Sequence, residues 1–161
     1  MRKGLEWLEW CISRLGFSLL LLMSFVIGLQ VIMRYVVGNA LMWPEELTRY
    51  CYLWCSMCAV AACSGKRAHL RIDVIRNLAG PRLRLAFDVI ASGVSIGFYL
   101  VFIWLSMDML LMVHDMEQYA VSFDLPMTYV WAAFPLFGTA TLIFIIARFT
   151  SFFSRRAAKE A

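Results

Sequence analysis

The chain has 161 residues, 62% of them apolar and 16% charged, with a formal net charge of +4. Soluble proteins carry about 25% charged residues, and a soluble all-α protein needs polar helix faces that most of this chain does not have. The positive balance suits a basic patch against anionic phospholipid, and no nucleic-acid partner is expected.

Four runs are free of Asp, Glu, Lys and Arg: Leu15–Met33, Tyr50–Gly65, Val89–Met107 and Leu125–Ala147. A spanning helix needs about 20 mostly apolar residues. The second run reaches that length if its helix starts near Glu45, with Pro44 in the first turn, where a missing N–H costs nothing. The pattern predicts an all-α membrane protein, a single membrane domain over residues 1–161, with four transmembrane helices at approximately 12–36, 45–65, 84–113 and 126–152.

The first 14 residues, MRKGLEWLEWCISR, predict a helix running into the membrane, with Trp7 and Trp10 at headgroup level. The small residues of GNA at 38–40 sit at signal-cleavage offsets. The apolar run before them is long for a signal and Arg34 intervenes, so the first span is read as a signal-anchor. Ser24 and Gly28 form a small-xxx-small pair that permits close helix approach. After the second span, Leu70, Val74, Ile75 and Leu78 make a stripe at helical spacing with Lys66, Arg67, Arg71 and Arg76 off it. This predicts a short amphipathic interfacial helix over 67–79, ended by Gly80-Pro81. The stretch HDMEQYAVSFDLP turns the chain before the fourth span. Asp124 suits the N-cap there, Pro126 the first turn, and Pro135 predicts a kink.

The flanks set the orientation. Arg2, Lys3 and Arg14 precede span one. Lys66, Arg67, Arg71, Arg76, Arg82 and Arg84 lie between spans two and three, and Arg148, Arg155, Arg156 and Lys159 follow span four. The other two connections hold Glu45, Glu46, Asp115, Glu117 and Asp124, with Arg49 the one base beyond the end of span one. Positive charge marks the cytoplasmic side, which places both termini there.

Several chemistries can be weighed against these residues. Cys51, Cys55 and Cys58 spell C-x3-C-x2-C, the spacing of iron–sulfur loops in soluble radical enzymes. On a membrane helix they share one face, where small apolar cysteines pack, and no metal is expected. Disulfide exchange needs cysteines in the outer connections, and neither contains one. A haem bundle needs facing ligands, but His69 and His114 are a membrane apart. A self-contained carrier keeps ionisable groups or broken helices near the midplane. The centre of every span here is free of charge, with Gln30 the strongest polar side chain within span one, toward its outer end. No catalytic residue, substrate site or cofactor is expected. At the outer edge, RYVVGNALMWPEELTRY (34–50) brings Arg34 and Arg49 near Glu45 and Glu46. The short connection makes spans one and two neighbours and predicts an Arg34–Glu46 pair, with Trp43 anchoring the corner.

This stretch, followed by an apolar helix and GKRAHLRIDVI, resembles the small membrane subunit of TRAP transporters, the DctQ-like small permeases. That family shows an Arg-aromatic step ending span one, a Trp shortly before paired acids, and His-x-x-x-Asp after span two. Here these fall on Arg34, Tyr35, Trp43, Glu45, Glu46, His69 and Asp73. The cysteine content of span two departs from the pattern.

The resemblance implies an inner-membrane subunit that does no chemistry and binds no substrate itself. Its partners would be the large permease subunit, which carries organic acids (carboxylates or sulfonates) down a sodium gradient by an elevator-like movement, and a periplasmic substrate-binding protein. Arg34, Trp43, Glu45, Glu46, Arg49, His69 and Asp73 are then interface or structural candidates. Asp115, Glu117 and Asp124 are docking candidates for the binding protein. The rival from another class is a four-helix membrane redox or quinone-linked protein using the span-two cysteines.

Overall fold

In lipid every backbone polar group must be satisfied within the chain, which leaves helices as the solution for apolar runs of this length. The computed structural model describes residues 2–39, 41–65, 81–122 and 124–160. It contains α1 (Arg2–Ile32), a π-helical turn (Met33–Val37), α2 (Trp43–Gly65), α3 (Pro81–Asp115), the short α4 (Met127–Trp131) and α5 (Ala133–Glu160). There are no strands among the described residues, only an isolated bridge between Tyr119 and Pro126. Several side-chain hydroxyls follow the same rule as the backbone, although the buried hydroxyls of Ser13 and Thr48 find no partner among the described residues. Ser18, Ser24, Ser56 and Ser95, all exposed, each donate to the carbonyl four residues earlier at 2.7–2.9 Å.

Among the described residues three segments are long and apolar enough to cross a membrane: Gly4–Val37, Val89–Asp115 and Met127–Ala147. The fourth expected crossing, α2, has 23 residues. Glu45, Glu46 and Arg49 in its first two turns, with the Tyr, Trp and Ser residues that follow, make it less apolar than the others. The interfacial helix expected over 67–79 lies outside the described residues.

The helices stand in the order α1, α2, α5, α3, each packing along the next, with α4 against α3. The core therefore sits on the inner pair. Cys58, Ala61 and Ala62 of α2 meet Ala133, Phe137 and Phe144 of α5, with Ile12 of α1 beside them. The ring of Trp54 meets Phe137 edge-on at 5.7 Å. A second cluster, Tyr50, Ala120 and Val130, closes the end that carries the acidic connections, called the acidic end below. Three glycines mark the close approaches, and at Gly65 of α2 a Cβ would lie 2.8 Å from the Glu9 side chain of α1. A Cβ at Gly16 of α1 would lie 3.0 Å from Cys58 Cβ, and one at Gly138 of α5 would lie 3.2 Å from Phe102 and Ile103 of α3. The expected Ser24–Gly28 pair does not serve this purpose, for nothing lies within 4 Å of a Cβ at Gly28. α1 meets α2 along a different face.

Helix ends differ in detail from expectation. The π turn prolongs α1 and stops at Gly38, whose left-handed φ of 76° suits a residue without a Cβ. Asn39 N–H closes the turn onto the Met33 carbonyl at 3.1 Å. Asp124 is not the N-cap of the following helix. Pro126 takes that position and α4 has no side-chain cap. The Met127 N–H is already spent on the Gln118 carbonyl at 2.8 Å, as is Ala120 N–H on Leu125 at 2.9 Å. The break expected from Pro135 appears one turn earlier, at Ala132 between α4 and α5. Pro135 cannot donate to the Trp131 carbonyl, so it sits in the first turn of a new helix instead of inside an old one.

Candidate functional site

The first turn of α2 faces the π turn of α1 and the loop that precedes α4, and it carries the charged residues singled out by the sequence. Trp43 opens the helix, half-buried, and Pro44 beside it is buried. Carboxylates in a first turn suit the helix dipole, and here the two acids have separate roles.

Glu46 is a clasp. Its Oε1 accepts from the Tyr50 hydroxyl at 2.5 Å and from Val121 N–H at 2.9 Å, and its Oε2 accepts from Ser122 N–H at 2.7 Å. The Tyr50 hydroxyl also touches Met127 Sδ at 3.3 Å. One carboxylate thus fastens the 121–122 backbone to α2. Glu46 precedes the charge-free run that begins at Tyr50. The Tyr50 hydrogen bond, then the Ser122 side chain and the two backbone amides, hold its carboxyl down to about 2, against an opposing push from burial.

The expected Arg34–Glu46 pair is not formed. Glu46 is taken by the loop amides, and the ion pair formed among the described residues is Arg49 to Glu45 within α2, at 3.5 Å with both side chains 72% exposed. Arg34 lies over the ring of its neighbour Tyr35 at 5.8 Å. Arg34, Glu45, Glu46 and Arg49 do line one cavity of about 510 Å³, with Gln30, Leu41, Met42 and Val121. The sequence brought the right residues to one place and misassigned the bond. The i,i+4 spacing of Glu46 and Tyr50 was a usable signal for the clasp. The amides of Val121 and Ser122, more than seventy residues away, left none.

Other expected site residues are scattered. Asp115 ends α3, Glu117 follows it in a left-handed conformation (φ 47°) and Asp124 lies in the loop before α4. All three are exposed. His69 and Asp73 lie outside the described residues. Of the cysteines of α2, Cys51 and Cys58 are buried, Cys55 is half-buried and Cys63 is exposed. Cys55 Sγ donates to the Gly16 carbonyl at 3.4 Å, and Cys58 is buried in the core. Among the described residues no group of three His, Cys, Asp or Glu is placed to hold a metal ion. Asp108 lies inside the third span expected at 84–113, where the sequence assigns it no role. α3 continues through it to Asp115.

Comparison with known proteins adds a family to this geometry. Residues 23–155 match the profile described as tripartite ATP-independent periplasmic transporters, DctQ component. A protein of Haemophilus influenzae assigned as a TRAP transporter small permease is 26% identical over 81 residues, which is 50% of this chain and 50% of that one. The isethionate TRAP transporter permease protein DctMQ of Oleidesulfovibrio alaskensis is 25% identical over 113 residues, 66% of this chain and 18% of that one. The matches thus take in half or less of these relatives' own length.

Proposed function

The chain belongs to the DctQ component family of tripartite ATP-independent periplasmic (TRAP) transporters, and from that premise we propose that it holds the large permease in place during sodium-driven import of organic acids. The observation that carries this reading is the family match over most of the chain. Two physical features support it. The charge-free centres of the spans offer nowhere to bind a coupling ion or an anionic substrate. Core packing between α2 and α5 suits a rigid supporting body. The relative named DctMQ carries the matched segment inside a much longer permease, which favours association with a large subunit here.

On this reading the chain crosses the bacterial inner membrane four times, both termini cytoplasmic. α2 is a crossing, with its charged first turns at headgroup level, that tolerates lower hydropathy because its neighbours shield it. The acidic end then faces the periplasm, where Asp115, Glu117 and Asp124 are placed to meet a substrate-binding protein. The test is reconstitution. Vesicles holding the large permease and this chain, with the binding protein outside, should take up a carboxylate or sulfonate in a sodium gradient. Vesicles holding this chain alone should not. Uptake by the chain alone would overturn the accessory role.

A further inference from the structure

The row of helices has two flanks, α1 and α3, and only 6% of the most apolar stretch of each is buried. The exposed face of α1 is compatible with lipid, since Leu15–Met33 contains no charge. α3 is different. Asp108 is exposed, and apolar residues bracket it, Val89–Met107 on one side and Met109–Val113 on the other. No ion pair or hydrogen bond reaches its carboxylate among the described residues.

Its depth follows from the packing of α3 on α5. The Phe102 ring lies 6.3 Å from that of Phe134, and Ile103 lies against Gly138. Asp108 is about 9 Å farther toward the acidic end than Phe102 and about 10 Å short of the helix end at Asp115. That is near the level of Trp131, still within the charge-free run Leu125–Ala147. Lys and Arg can reach the interface on long stems. Asp has no such stem, so its carboxylate must find a donor where it stands.

The stripe that carries Asp108 is open. Gly93, Gly97, Trp104 and Asp108 recur near whole helical turns, on the side opposite Phe102 and Ile103. Nothing lies within 4 Å of a Cβ at Gly93 or Gly97, and Trp104 is 70% exposed. The two glycines leave room for a helix backbone to approach. A second copy of this chain related by a two-fold axis would bring two Asp108 carboxylates together, which like charges oppose.

We propose that this stripe of α3 is the surface that docks the large permease, and that Asp108 takes an Arg, Lys or other hydrogen-bond donor from a permease helix. The proposal rests on the subunit reading above and adds the face and its chemistry. The test uses the full chain co-expressed with its large permease. The wild-type chain should capture the permease. Asp108→Leu, which lipid would accept readily, and Gly97→Leu should each lower the recovered complex about tenfold, with Asp108→Asn between them and wild type. A photo-crosslinking side chain in place of Trp104 should link to the permease, and one in place of Phe25 on α1 should not. The crosslink keeps the test valid should a variant fold poorly. Capture at the wild-type level by the Leu variants, or crosslinks from position 104 only to lipid or a second copy, would overturn the face while leaving the subunit reading intact. A wild-type chain that captures no large permease would overturn both.

Discussion

The flanking helices and the inner pair use apolar side chains for opposite purposes. α1 and α3 hold the most apolar stretches and bury 6% of each, while the Met127–Ala147 stretch of α4 and α5 buries 39%. Phe25, Ile90, Val94 and Trp104 point away from the bundle, at 62–70% exposure. The residues that fill the interior are often smaller or more polar: Cys58, Ala61, Ala133, Ser64 and Thr141. In water such an arrangement would be inside out. In lipid, burial of apolar surface drives little helix association, and close packing of small residues does more.

The largest expected effect tests the inner pair. Phe137 is 2% exposed and is held by Trp54. Phe137→Ala should cost about 3–5 kcal/mol, seen as a large drop in the unfolding midpoint of the detergent-solubilised chain. Phe25→Ala, at 69% exposure, should leave the midpoint nearly unchanged. Equal losses at the two sites would break the contrast. A finer test stays on one helix. Gly16→Leu would push a side chain into Cys58, 3.0 Å from the new Cβ, at about 1–3 kcal/mol. Gly28→Leu meets open space and should be neutral in the isolated chain, which sharpens the assignment of which face of α1 is packed.

The clasp comes next. Glu46→Gln keeps the shape but weakens the pull on the Tyr50 hydroxyl and the two loop amides. It should lower the midpoint modestly and speed proteolysis within residues 116–126. Its pH dependence has a definite sign. The carboxyl is held at about 2, below its ordinary 4.5, so its stabilising contribution is complete above about 4.5 and is lost as pH falls toward 2. The wild-type midpoint should therefore fall more steeply than that of Glu46→Gln between these values. Arg49→Ala should have the smallest effect. The Arg49–Glu45 pair is 72% exposed on both sides, which is worth about 0–1 kcal/mol, and the loss should shrink further in high salt.

Three of the four expected spans were legible, because charge-free runs of about twenty residues have few structural uses. The helix order was not. That α2 lies between α1 and α5 is decided by contacts such as Gly16 with Cys58 and Trp54 with Phe137, and small residues at these positions look like many others along the chain. The three cysteines could be read as sharing a helical face, but Gly16, the partner that receives Cys55, could not. At the charged corner, proximity in sequence favoured Arg34 for Glu46. Two backbone amides on a distant loop outcompete it, because amides offer fixed, aimed donors while an exposed guanidinium must be held in place by an entropic cost. Asp108 falls inside the third span expected at 84–113 and drew no role there because it stands just past the charge-free run Val89–Met107, away from the span's centre.

Ribosomes release α1 first and α5 last, and α2 sits between them in space. Its Cys55 side reaches α1 as soon as both helices are made, but Trp54, Cys58 and Ala61 wait for Ala133 and Phe137. During synthesis α2 therefore has only its hairpin with α1, and one flank of it stays unsealed until α5 arrives. Quality control that senses unpaired helix surfaces in the bilayer would find its target there, on any chain that stops short of residue 133.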